Sequence, residues 1–492
     1  MFDSGSDTRF RKLGTINRRM FIFSAAKAVV LFGIIGRLFS LQINESNKYL
    51  TLSDKNRLRE SRLPPIRGEF KDYFEETIAG NLRVYQLHVV PEQVEDFKNL
   101  IIRLRDILNF DNRKLVQLIK KKNKQKPWET LIISENLSWD EFSKINFYLH
   151  ELAGAKPVIT VGRNYPHKGS FTHILGYVAQ VSENDLIESE IIRERNVPGL
   201  RVGKLGLEKT FENQLIGTNS IQRFEVNAYG KKINQIDYKE GLKGKSIRLT
   251  IDSEIQKYTN ELLSEKAGSI SVMDIYTGEI IAMNSAPTFD PNLFLYGIDK
   301  NEWSKIKNDP KKPLLNKTLS GLYSPGSTIK PLVALSALEH DAISPDMKVK
   351  CNGKVEMYGH TYHCWKKKGH GYMSLKNAIK QSCDIYFYEI ARKLGVDRLS
   401  ETAKRFGLGS KTLGGFLEER SGVVPNTKWK KKFIGKNWYL GETLHSGIGQ
   451  GYFLSTPMQL CLMTAQLANG GYKIKPRIVI DPNKKNQDNL KE

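Results

Sequence analysis

A serine becomes a strong nucleophile only beside a base, and a lysine that can give up its charge is one such base. Ser327 and Lys330, within Tyr323-Ser-Pro-Gly-Ser-Thr-Ile-Lys-Pro331, offer that pair. Pro325-Gly326 reads as a turn, after which Ser327 opens a helix, and residues three apart then share a helix face. The start of such a helix also presents free N–H groups and positive potential where an oxyanion would form. The S-x-x-K pattern is undemanding on its own, since Ser24-Ala-Ala-Lys27 matches it inside an apolar run. Spacing alone fits equally well an N-cap serine followed by a solvent-facing lysine.

A second group of reactive types lies downstream. Of the four cysteines, Cys351, Cys364 and Cys383 combine with His370 into the spacing C-x12-C-x5-H-x12-C. Three thiolates and an imidazole make a tetrahedral structural zinc set, and soft sulfur ligands favour zinc over hard cations. The spacing lacks the short C-x2–4-C knuckle of common zinc sites. A Cys351–Cys364 disulfide is the alternative in an oxidising compartment. His360 and His363 read as exposed loop residues, and Cys461, on an apolar helical run, reads as core.

The elements that must hold these groups begin with a membrane anchor. Arg9, Arg11, Lys12, Arg18 and Arg19 precede an apolar run from Met20 to Ile43, which as a helix reaches about 36 Å, enough to cross a core of about 30 Å. No small-x-small cleavage pattern follows, so the helix is expected to stay, with its basic flank in the cytoplasm and the bulk of the chain outside. Pro91 to Leu108 has amphipathic helical periodicity, and Ser138-Trp-Asp-Glu141 is a capping box opening a helix to about Leu152. Gly268–Asp274 and Glu279–Met283 flank a Gly turn and read as a β-hairpin, and helical periodicity dominates from Pro331 onward. Strands followed by helices imply an α+β module with helices covering a sheet. The formal charge of +23, from 76 Lys and Arg against 53 Asp and Glu, fits an acidic partner. No RNA-recognition, zinc-finger or basic-aromatic signature supports nucleic acid.

Ser-Pro-Gly-Ser327-Thr-Ile-Lys330-Pro resembles the first active-site motif of the penicillin-binding proteins. Further likenesses run along the chain: Pro65-Ile-Arg-Gly68, His173-Ile-Leu-Gly-Tyr-Val178, Gly206-Leu-Glu208, Glu225-Val-Asn-Ala228, Asp274–Met283 and Phe289-Asp-Pro-Asn292. Ser382-Cys-Asp384 with Gly447-Ile-Gly-Gln-Gly-Tyr452 is similar to the elongation branch, penicillin-binding protein 2, rather than the septal one. The resemblance implies a cytoplasmic tail (1–19), a transmembrane helix (20–43), an elongated pedestal (44–243) and a penicillin-binding, serine β-lactamase-like transpeptidase domain (244–492). It implies a penicillin-sensitive serine D,D-transpeptidase, with D-Ala-D-Ala carboxypeptidase chemistry, anchored once in the inner membrane with its bulk in the periplasm. Ser327 would be the nucleophile and Lys330 its base. Ser382 would relay protons, and Asp384 would hold the relay or the lysine by a charge-assisted hydrogen bond. The implied partners are peptidoglycan stem peptides, β-lactams, a shape-elongation glycosyltransferase and other cell-shape membrane proteins. Some members carry a metal site whose positions here read Cys351, Cys364, His370 and Cys383, which implies a structural Zn²⁺. The family's third motif, K-[ST]-G, finds no counterpart before Glu492, since Arg420-Ser-Gly422 and His445-Ser-Gly447 align with other segments. The expectation is therefore a transpeptidase domain truncated at its C-terminal edge. The alternatives are a catalytically impaired membrane scaffold, or a β-lactam-hydrolysing or sensing relative.

Overall fold

The computed structural model describes residues 18–46, 58–127, 129–226 and 232–480. The basic residues Arg9, Arg11 and Lys12, the Asn227-Ala228 pair and the polar tail from Pro482 lie outside them. Contacts divide the chain into two compact units. The smaller holds the N-terminal helix Arg18–Phe39, which continues as a π-helical turn over Ser40–Asn44. From Met20 to Asn44 it is long and apolar enough to cross a membrane by length and composition, and none of it is buried. The same unit takes in nearly all of a three-stranded sheet in the order Leu58–Leu63, Ser220–Val226, Lys232–Lys239, of which only Leu63 and Ser220 fall to the larger unit.

The larger unit joins residues 63–220 with 240–492. Its first layer is a sheet centred on the long strand Thr77–Val89, which pairs antiparallel with Phe70–Lys71, Leu131–Leu137 and Ala155–Asn164. Helices Phe97–Leu108 and Trp139–Phe147 close one end of it through Phe97, Ile101, Leu104, Phe142 and Ile145. The Ser138–Glu141 capping box forms in both directions. The helix expected from Pro91 starts only at Phe97. Pro91–Gln93 is a separate 3₁₀ turn, Val94 is extended, and Asp96 caps the new start by accepting from Asn99 N. The second helix likewise stops at Phe147, with a 3₁₀ turn over Leu149–Glu151.

The β-hairpin reading holds: Gly268–Met273 pairs antiparallel with Ile280–Ala286. Helix Pro457–Ala468 packs on the first of these strands and helix Ser253–Leu262 on the second. One continuous core unites Phe70, Ile78, Tyr165 and Leu207 with Ile280, Met283, Leu319 and Met458. Packing therefore runs unbroken past Lys243. A second core gathers helices Lys330–Glu339, Asp384–Leu394, Val396–Arg405 and Leu440–Gly447 around Leu332, Phe387, Ile390, Leu399 and Leu444. Helices dominate from Pro331 as expected, but not without interruption. Four strands intervene, Lys348–Cys351, Lys354–Met357, His360–His363 and Gly371–Ser374, paired as two ladders. Strands this short, separated by Gly turns, are too brief to leave a period-2 signal.

Beneath the first sheet lies a buried ionic knot. Glu208, wholly inaccessible, accepts from Arg67 Nε at 2.7 Å, Arg163 Nε at 2.7 Å and the Tyr165 hydroxyl at 3.0 Å. Arg67 also forks onto Glu212 at 3.0 and 2.7 Å, so two cations face two anions. Burial alone would raise the Glu208 carboxyl pKa, but Arg163 and Arg67 overcome it and hold the group below its ordinary range. The stability it contributes is thus present above the ordinary carboxylate pKa of about 4.3 and is lost as pH falls through the lower folded value. Glu208→Ala would leave the guanidiniums uncompensated, and we expect a loss of about 3–5 kcal/mol, measured as a lowered midpoint in thermal unfolding at neutral pH.

Candidate active site and thiol cluster

The segment Gly326–Ile329 forms a 3₁₀ turn, and the α-helix proper begins at Lys330. The expected helix at Ser327 is therefore a tighter turn, in which residues three apart eclipse. Ser327 is exposed, whereas Lys330 is almost wholly buried. An ammonium has three protons to donate, and Lys330 Nζ finds three acceptors: Ser382 O at 3.0 Å, Ser382 Oγ at 2.9 Å and Asp384 Oδ1 at 2.7 Å. Ser382 Oγ in turn donates to Ser327 Oγ at 3.2 Å. Lys330 thus reaches Ser327 through Ser382. The serine that presents both of its oxygens to the lysine sits at φ +51°, in the left-handed region. Such conformations persist where surrounding contacts enforce them, and they gather at functional sites.

Asp384 begins helix Asp384–Leu394, and its second oxygen accepts from Trp365 N at 3.0 Å. Trp365 Nε1 donates to Gln381 O at 3.1 Å, so the loop after Cys364 is tied on both sides of Ser382. Sequence reasoning did not find Trp365, because its part is played by a backbone N–H that leaves no residue-type signal. It also missed the contact that seats the turn: Gly326 N donates to Gly449 O at 2.9 Å. Gly449 has φ +71°, and a Cβ there would lie 2.2 Å from Gly326 O. Of the two strings resembling K-[ST]-G, His445-Ser-Gly447 ends a helix. Its Ser446 is buried and donates to Glu442 O. Ser421 O accepts from Gln459 in the other.

The expected metal ligands converge. One ligand atom from each of Cys351, Cys364, His370 and Cys383 lies within 4.8 Å of all the others. His370 Nδ1 is 3.6 Å from both Cys351 Sγ and Cys364 Sγ. All three cysteines are buried and free of disulfides. Burial, then the neighbouring Cys351 and Cys364, pushes the Cys383 thiol up to about 12. The ladders of short strands build this cluster: Cys351 pairs with Gly371, next to His370, and Lys354 pairs with His363, next to Cys364. His360 and His363 are exposed, on a strand rather than in a loop. Cys461 is half-buried beside Ser271 O, where burial pushes its thiol up to about 11.

Two family profiles match the chain, the penicillin-binding protein transpeptidase domain over residues 268–492 and the penicillin-binding protein dimerisation domain over residues 62–249. The peptidoglycan D,D-transpeptidase MrdA of Haemophilus influenzae is 33% identical over 473 residues, covering 93% of this chain and 72% of that protein. MrdA of Escherichia coli K12 is 32% identical over 451 residues, covering 91% and 71%. The chain belongs to the penicillin-binding protein 2 family of peptidoglycan D,D-transpeptidases. Penicillin-binding protein 2 of Helicobacter pylori, in complex with MreC, superimposes with a TM-score of 0.77 at 28% identity, over 87% of this chain and 80% of that one. Penicillin-binding protein 2 of Pseudomonas aeruginosa, in complex with WCK 5153, gives 0.64 at 31% identity, over 86% and 75%.

In this family member the Gly326–Gly449 contact leaves no room for a side chain. Gly449→Ala must displace the turn that carries Ser327. A misplacement of about 1 Å costs on the order of a hundredfold in rate, so covalent labelling of Ser327 by a fluorescent penicillin should slow to that extent in a stopped time course.

Proposed function

We propose that this family member cross-links peptidoglycan stem peptides during cell elongation through an acyl-enzyme on Ser327. The observation that carries the reading is the unbroken hydrogen-bonded chain from exposed Ser327 through Ser382 to buried Lys330 and Asp384. Once Lys330 Nζ has released one of its three protons, Ser327 Oγ attacks the penultimate D-Ala carbonyl. Its proton passes to Ser382 Oγ as the Ser382 proton passes to Lys330 Nζ. The C–N bond to the terminal D-Ala then breaks, and the departing amine takes a proton back along the same path. An amine from a neighbouring strand attacks the ester carbonyl, forms the cross-link and releases Ser327 as its hydroxyl. Water in place of that amine gives the carboxypeptidase reaction. A β-lactam presents the same carbonyl, but its amine stays tethered, so the acyl-enzyme persists. Asp384 keeps Lys330 aimed at Ser382.

The apolar helix, with Arg18 at its start, supports a single-pass anchor with the bulk of the chain on the periplasmic side. The Helicobacter pylori relative is seen in complex with MreC. A further match, 27% identical with a TM-score of 0.67, belongs to a peptidoglycan synthase complex that coordinates polymerisation and cross-linking. These support cell-shape membrane proteins and an elongation glycosyltransferase as partners here.

The thiol cluster is read as a structural zinc site. With Zn–S near 2.3 Å and Zn–N near 2.05 Å, tetrahedral angles put sulfur and nitrogen about 3.6 Å apart, matching the 3.6 Å from His370 Nδ1 to Cys351 and Cys364 Sγ. Bound zinc would hold the sulfurs as thiolates, opposing the upward pull on the Cys383 thiol. Cys383 lies between Ser382 and Asp384, and Cys364 precedes Trp365, whose N–H binds Asp384. The four ligands would therefore clamp both sides of the Ser382–Asp384 relay.

A fluorescent penicillin should label the protein at Ser327, and labelling that persists in Ser327→Ala would refute the nucleophile. Elemental analysis of purified protein should find about one zinc per chain, as one four-ligand site requires. That content should fall sharply in Cys364→Ser and His370→Ala but not in Cys461→Ser, and Cys364→Ser should also slow labelling. A metal-free wild-type protein with a Cys351–Cys364 disulfide in its mass spectrum would overturn the zinc assignment.

A further inference from the structure

Between Arg420 and Gly441 the chain carries six Lys and Arg and no Asp or Glu. Helix Thr427–Ile434 occupies the middle of this stretch. Lys428, Lys431, Lys432 and Lys436 are exposed, and none has an ion-pair partner among the described residues. Lys430 is the contrast. It is buried, ion-paired with Glu442, with its ammonium 4.3 Å from the centre of the Tyr439 ring and 5.8 Å from those of Trp438 and Tyr452. This pair pins the helix to the neighbouring helix Leu440–Gly447, so Lys428, Lys431 and Lys432 stand on a fixed helix, with Lys436 in the short connection that follows it.

Beside them runs an open groove of about 480 Å³, lined by Lys404, Val423, Lys428, Trp429, Lys432 and Phe433 among others, with no acidic residue in its wall. The Trp429 and Phe433 rings lie 6.1 Å apart at 35°. Exposed cations around aromatic faces suit an anionic ligand that also has flat apolar faces. Peptidoglycan has both, carboxylates on its stem peptides and C–H faces on its sugar rings. The groove is also joined to the nucleophile. Trp429 packs against Tyr452 at 5.5 Å, Val423 bridges to Leu454, and Ser455 bridges to Tyr323. Gly449, three residues before Tyr452, accepts from Gly326 beside Ser327. One short segment thus connects the groove floor to the reacting serine.

We infer that this cationic-aromatic groove is a docking surface for a carboxylate-bearing peptidoglycan strand, held alongside Ser327. The inference rests on the transpeptidase reading for its biological sense, though not for its test. Full-length protein in detergent is sedimented with isolated peptidoglycan sacculi, and affinity is read from the bound fraction across protein concentration. Replacing Lys428, Lys431, Lys432 and Lys436 together by Glu should weaken binding about tenfold, since each exposed ionic contact contributes a few tenths of a kcal/mol to about 1. Phe433→Ala should weaken it as well. Charge reversal at Lys120, Lys121 and Lys124, on the equally basic helix Asn112–Lys124, should leave it unchanged. Thermal unfolding checks that each variant is folded. Equal weakening by both lysine sets would reduce the effect to bulk charge and overturn the inference. So would unchanged binding in the groove variants, or loss of binding only to phosphatidylglycerol vesicles. Wild-type protein is exposed to fluorescent penicillin in parallel. Failure of that labelling would sink the Ser327 mechanism and leave the sacculus result standing.

Discussion

A buried lysine ammonium must find a partner for every proton, and Lys330 is the constraint around which this catalytic region is arranged. Its position follows from the turn that carries Ser327, because the helix begins at Lys330 and drives the side chain inward. Once there, removal from water would cost several kcal/mol if its charge were not compensated. Compensation comes from one short stretch, Ser382 through Asp384, which supplies a carbonyl, a hydroxyl and a carboxylate. Ser382 itself sits in the left-handed region, with its hydroxyl within reach of Ser327. The need to satisfy a charge and the placing of the Ser382 hydroxyl against Ser327 are here one structural fact.

The surroundings are best understood as what keeps that arrangement rigid. On one side, the loop of Trp365 binds the second oxygen of Asp384, and the thiol cluster brings Cys364 of the same loop close to Cys383, the residue between Ser382 and Asp384. On the other, the Gly326–Gly449 contact seats the Ser327 turn against the segment after helix Leu440–Gly447. Gly447 itself lies so close to helix Asp384–Leu394 that an added Cβ would meet Ala391 at 2.4 Å. The helix bearing Asp384 and the segment bracing Ser327 therefore cannot shift independently.

Farther from the chemistry, the same logic of charge without water builds the base of the larger unit. Arg67, Arg163, Glu208, Glu212 and Tyr165 come from three separate stretches of chain and meet in one buried network. Such knots seldom add stability over a well-packed apolar alternative, but breaking one is expensive. Their effect is to fix which segments meet, and here they sit beside the core that runs on into the Ile280 and Met458 elements.

What the sequence determined by itself was local. The apolar helix from Met20, the Ser138–Glu141 capping box, the hairpin around Gly278 and the neighbourhood of Ser327 and Lys330 each depend on residues a few positions apart, where periodicity and turn chemistry are decisive. Even there, a 3₁₀ turn replaced the helix start at Ser327, and four short strands broke the helical pattern after Pro331, because runs of four residues carry too little periodicity to read. Residue types singled out the cysteines and His370, and family resemblance named Ser382 and Asp384, but neither gave their geometry. That Lys330 touches Ser327 only through Ser382, that Trp365 supplies a backbone donor, and that Gly449 closes on Gly326 were decided by tertiary structure alone. Those contacts join residues tens of positions apart, 52 in the case of Lys330 and Ser382. Their partners are fixed by burial of a charge and by the close approach of backbones, neither of which is encoded in any short window of sequence.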